Sequence, residues 1–180
     1  MTYFLLPKTQ CNFLYEDHTS PVSNSLVSYI STFPSPTTLC PLNKLFIMSE
    51  LIDLYNIEAT PILHVGDNEK GKFPLIVNDM DMNLFVLSQQ QPNGTYISKI
   101  ENSTSNESIQ YLYKLCSCYK QVYLCKPNAD CLKSSTKYVI ALNFCKMPDL
   151  NNLKIPYYFR MKLSEINSIF GQTQLEYLRN

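Results

Sequence analysis

Tryptophan is missing from the 180 residues, glycine occurs four times, and Arg160 and Arg179 are the only arginines. So little glycine leaves scant material for multi-glycine phosphate loops, which need several neighbouring positions free of Cβ. With arginine almost absent, any anion contacts fall to lysine, a flexible point charge rather than a two-pronged fork. The two histidines, His18 and His64, have no spaced partner. His64 reads as a core or strand-end residue, and neither a Ser/His/Asp nor a Cys/His constellation is legible. Net charge is also lacking: 15 basic and 15 acidic residues cancel, which removes the overall signature of a nucleic-acid or membrane-surface binder while leaving room for a local basic cleft. No apolar run approaches the roughly 18 residues that span a bilayer, and MTYFLLPKTQ does not read as a secretory leader. An intracellular protein is expected, in the cytoplasm rather than the nucleus and with no membrane partner. The sequons at Asn93, Asn102 and Asn106 are then accidents of composition.

What is present is a globular composition, 45% apolar, in a chain about one domain long. The seven cysteines are an odd count. Cys116, Cys118, Cys125 and Cys131 lie close in sequence, but no C-x-x-C pair occurs and C-x-C on a helix throws its thiols apart, so reduced, buried thiols are expected and no metal site.

Residues 1–41 contain five prolines and predict an irregular arm with one short helix near Ser23 to Thr32. From Leu42, LNKLFIMSELIDLYNI places Leu42, Leu45, Phe46, Met48, Leu51, Ile52 and Tyr55 at spacings of three and four, a core-facing helix with Lys44 off the stripe. ILHV and LIV read as buried strands closed by Gly66-Asp67 and Asn78-Asp79, with polar residues at the carboxyl edge where open parallel sheets bind ligands. MNLFVLSQQQ reads as a helix, Pro92-Asn93-Gly94 as a turn, and TYISKI as a strand bearing Lys99. NESIQYLYKLCSCYK is helical, capped by Ser105 or Asn106. QVYLCKP and KYVIALNF, joined through NADCLKSST, predict a hairpin. The tail from Pro148 reads as an extended segment and one or two short helices.

The order NGTYISKI, helix, YKQVYLCKP, SSTKYVIAL resembles the closing half of the FtsJ-like family of S-adenosylmethionine-dependent RNA 2′-O-methyltransferases, which includes cap methyltransferases. There a Gly-Gly turn leads into a strand ending on a catalytic lysine, and a Lys-Pro strand is followed by a Ser-rich loop, a glutamate and a Tyr-Val strand. The match covers about 50 residues closely and the preceding 50 loosely. It implies an α/β fold with a reduced Rossmann-like methyltransferase sheet, mostly parallel with an antiparallel C-terminal hairpin. The division it suggests is an arm at 1–41, a core at 42–147 and an extension at 148–180 packed on that core.

The resemblance places the family's Lys-Asp-Lys-Glu tetrad on Lys44, Asp79, Lys99 and Thr136, with S-adenosylmethionine as cofactor held by Gly66, Asp67 and Gly71, and RNA as substrate. Lys99 would help deprotonate a ribose 2′-hydroxyl, Asp79 would orient it, and Lys44 would add positive charge. LIVNDMD equally suits the family's second strand, with its carboxylate on the cofactor ribose. Three departures stand out: Thr136 carries no carboxylate, the cofactor loop is thin in glycine, and at least one βα unit is missing. They support a second expectation, a methyltransferase fold that has lost the reaction and binds RNA or a protein partner.

Overall fold

The computed structural model describes residues 2–7, 32, 41–57, 61–65, 70–79, 82, 84–147 and 154–179, with backbone only for 41–46. Among these, six strands form one sheet: β1 (Thr2–Leu5), β2 (Ile62–His64), β3 (Phe73–Asn78), β4 (Gln90–Ile100), β5 (Tyr119–Lys126) and β6 (Lys137–Phe144). Three α-helices accompany them, α1 (Pro41–Tyr55), α2 (Asn106–Cys118) and α3 (Tyr157–Arg179), with a 3-10 turn at Phe85–Gln89. No helix among the described residues is long and apolar enough to cross a membrane.

The strand order is β1-β5-β6-β4-β3-β2. β2, β3 and β4 run parallel as a block, whereas β4–β6, β6–β5 and β5–β1 are antiparallel. The sheet is therefore mixed, and the expected mostly parallel sheet is corrected. The β5–β6 hairpin forms, but β6 lies inside the sheet between β4 and β5 rather than at an edge, and every pairing it makes is antiparallel.

Side-chain alternation along the strands separates two apolar layers. On one face α1 packs Ile47 and Leu51 against Leu75, Val77, Ile97 and Ile140. On the other, Leu112 and Leu115 of α2 and Leu163 and Phe170 of α3 pack against Ile76, Tyr96, Val139 and Leu124. α2 starts where Ser105, in extended backbone, accepts a hydrogen bond from the Ser108 N–H at 3.1 Å. The Asn102 carboxamide oxygen accepts from Thr104 N and Ser105 N ahead of it, tightening the approach. Asn167 of α3 bonds Ser103 through both its carboxamide atoms, fastening α3 to this turn.

Four local expectations change. MNLFVLSQQQ supplies only the short 3-10 turn, because Gln90 is drawn into β4, where its amide donates to the Phe73 carbonyl at 2.8 Å and accepts from the Tyr119 hydroxyl. Pro92-Asn93-Gly94 is not a free turn but a bulge in β4: pairing jumps from Phe73–Gln90 to Leu75–Thr95, with Asn93 at φ 59°. A Cβ on Gly94 would stand 2.8 Å from the Gln91 and Pro74 carbonyl oxygens, so the bulge closes only around glycine. The tail makes a single 23-residue helix rather than short ones, since Phe159, Leu163, Ile166 and Phe170 keep one continuous apolar stripe. Thr2–Leu5 is a regular strand paired with β5, its backbone held by the exposed flank of the sheet. The helix expected near Ser23 to Thr32 lies outside the described residues.

Candidate functional site

The carboxyl ends of β3, β4 and β5 point to one edge of the sheet, joined there by the start of β6. The parallel register pairs Asn78 with Ser98, so Asp79 and Lys99 are the next residues along two neighbouring strands, whose spacing is about 5 Å. Alternation from Val77 and Ile97 places both on the α1 face. Tyr138 of β6 pairs with Lys99 and faces the same way. Burial first, then the Asp130 and Asp79 carboxylates, push the Tyr138 phenol above its ordinary range. The Lys99 amine stands 3.8 Å from Glu101, a loose and solvated ion pair.

A buried relay holds the backbone beneath this pair. The Asn78 amide donates to the Tyr96 hydroxyl at 2.8 Å, Tyr96 and Tyr111 hydroxyls are 3.0 Å apart, and Tyr111 donates to Ser98 Oγ at 2.7 Å. Since the Tyr111 proton goes to Ser98, Tyr96 must donate to Tyr111, so the hydroxyls run in a single direction from Asn78 to Ser98. Burial, followed by the charge of Tyr96, lifts the Tyr111 phenol well above its usual value, so the relay stays protonated. Its ends are the residues immediately before Asp79 and Lys99, which gives this network the role of positioning them.

Behind the same edge, on the face of α2 and α3, lies a second polar cluster. Lys126 Nζ reaches Asp130 Oδ2 at 2.6 Å, Ser134 Oγ at 2.8 Å and the Thr136 carbonyl at 2.7 Å. Burial lowers the pKa of this lysine, opposed by the Asp130 hydrogen bond and charge and reinforced by the charge of Lys99. Asp130 Oδ1 accepts from the Cys131 N–H at 2.8 Å. The β5–β6 loop is also tied to α1: Glu50 accepts from the Asn128 and Ala129 N–H groups, each at 3.0 Å.

The residues anticipated from sequence divide clearly. Asp79 and Lys99 come together, and Thr136, buried just ahead of β6, joins their edge. α1, which carries Lys44, covers their face, while the Lys44 side chain, Gly66 and Asp67 lie outside the described residues. Gly71 is exposed at φ 149°, and a Cβ there would meet only the Phe73 ring at 3.8 Å. Its identity follows from its backbone, and it forms no cradle for a ligand. Gly71, the one described residue of the three anticipated for cofactor binding, therefore offers no built seat. Tyr138, Asp130 and the Tyr96–Tyr111 relay went unforeseen; only the placement of Tyr138 two residues after Thr136, at the start of a strand, could have suggested one of them. Searched against protein-family models and against curated proteins, the chain matches none.

Proposed function

We propose that this edge is the working site of an RNA 2′-O-methyltransferase-type domain of reduced Rossmann-like build, using S-adenosylmethionine and acting on an RNA of the cap type. The observation that carries the reading is the register that sets Asp79 and Lys99 side by side at the carboxyl ends of parallel strands, where α/β sheets bind ligands. Asp79 accepts a hydrogen bond from the ribose 2′-hydroxyl and orients it. The Lys99 Nζ, in its uncharged amine form, receives the hydroxyl proton and becomes the ammonium as the oxygen becomes nucleophilic. S-adenosylmethionine, when bound, supplies the methyl group. Lys44 adds positive charge from α1.

A second reading is favoured by Thr136. A buried threonine stands where the resemblance calls for a carboxylate, and Asp130, at the same edge, is already committed to Lys126. In this reading the fold has shed the reaction and serves as an RNA- or protein-binding module. A calorimetric titration with S-adenosylmethionine separates the two. Micromolar binding supports the enzyme; binding that is absent or only millimolar removes it as a self-contained methyltransferase and leaves the binding module.

A further inference from the structure

Between the β5–β6 loop, the start of β6 and the last turns of α3 there is a pocket of about 60 Å³, on the sheet face opposite Asp79 and Lys99. That is room for roughly four waters, or one tetrahedral oxyanion with part of its hydration. Its lining includes Lys126, Lys137, Ser134, Thr173, Gln174 and Tyr177. The two lysines differ in one respect. Lys126 is neutralised by Asp130 at 2.6 Å. Lys137 is just as buried, 9% exposed, yet among the described residues its amine has only the Ser135 carbonyl at 3.0 Å and the Phe170 ring at 5.4 Å. No acidic side chain among the described residues pairs with it.

We propose that this pocket binds a phosphate group, with the Lys137 ammonium as its counter-charge and the Ser134, Thr173 and Tyr177 hydroxyls and the Gln174 amide as its polar wall. A buried ammonium without a carboxylate is costly to maintain, and an anion in the adjoining space removes that cost. Burial, helped by the charge of Lys126, draws Lys137 down to about 8, so near neutrality the amine is still protonated and able to hold an anion. A wall with one uncompensated cation suits an oxyanion better than a neutral ligand, its donors being the Ser134 and Tyr177 hydroxyls and the Gln174 amide, since the Thr173 hydroxyl already donates to the Ile169 carbonyl at 3.0 Å. Gln174 also donates to the Lys133 carbonyl at 2.8 Å, joining α3 to the loop and fixing the width of the mouth. The chemistry is shared by free phosphate and by the phosphodiester of a nucleic-acid strand.

The full chain is titrated at pH 7 and constant ionic strength with inorganic phosphate against chloride, following thermal unfolding and the NMR signal of the Lys137 ε-methylene. At ten times Kd the expected rise in Tm is about 3 to 6 °C, with the Lys137 resonance moving in step. Lys137→Met is expected to abolish the rise. A short oligoribonucleotide that competes with phosphate at Lys137 identifies a nucleic-acid backbone as the source, and one that leaves the phosphate response untouched identifies small free phosphates. An unchanged Lys137 resonance in the unaltered chain overturns the proposal, even where Lys137→Met fails to fold. So does a Tm response of equal size in Lys137→Met.

Discussion

Lys99, next to last in β4, and Lys126, the last residue of β5, stand at the same sheet edge but on opposite faces, and their surroundings differ in kind. Lys99 is 26% exposed with its carboxylate partner 3.8 Å away, whereas Lys126 is 8% exposed and bonded to a fully enclosed Asp130 at 2.6 Å. An exposed, loosely paired amine is available to a ligand and contributes little to stability. A buried pair with every donor satisfied is structural, and its members are hard to remove. The comparison teaches that one edge can hold a scaffold and a site at once, because strand alternation sends successive residues to opposite layers.

The largest effect is expected from breaking the enclosed pair. Asp130→Ala leaves the Lys126 ammonium buried and uncompensated, a cost of about 3–5 kcal/mol, and thermal unfolding should show Tm lower by roughly 6 to 20 °C. Next comes the relay under Lys99: Tyr111→Phe removes the donor to Ser98 and strands the Tyr96 hydroxyl, costing roughly 1–3 kcal/mol by urea unfolding. If that variant also weakens RNA binding while Asp130→Ala spares it in the folded fraction, the two faces are separable.

Lys137 sharpens the comparison through pH. Its folded-state pKa is lowered to about 8 while the unfolded chain keeps the ordinary 10.5, so between those values the unfolded state holds more protons. Stability must therefore rise with pH across that window, by up to about 3 kcal/mol, and be lowest below it. Among the described residues the charged group that acts on it is Lys126, itself bonded to Asp130, with Tyr177 lining the pocket from α3. Denaturant unfolding between pH 7 and 10.5 in phosphate-free buffer reads this directly, and Lys137→Met should flatten the rise. The smallest effect is Glu101→Gln, which removes the loose partner of Lys99 and should change stability by less than about 1 kcal/mol.

Much of this arrangement is legible in the residues. The 3.6-residue stripe and Ser105 cap of α2, the hydrophobic run of β3 and the hairpin of β5 with β6 all follow from local pattern. Asp79 and Lys99 could be brought to one edge because each closes an apolar run. Other features rest on contacts distant in sequence. Gln90 falls in MNLFVLSQQQ, which reads as a helix, and its bonds to Phe73 and Tyr119 make it a buried strand residue instead. Asp130 sits in a polar loop that looks solvated, and its burial depends on Lys126 and on the chain returning at Ser134. The interior place of β6 and the two-sided edge depend on strand order, which no local period encodes.

The most direct measurement follows labelled methyl transfer from S-adenosylmethionine to capped RNA by the intact chain and by Lys99→Ala. A functioning site predicts transfer by the former and a loss of about 10²- to 10⁴-fold in the latter, with Tm nearly unchanged. Equal transfer by both proteins would contradict a catalytic Lys99.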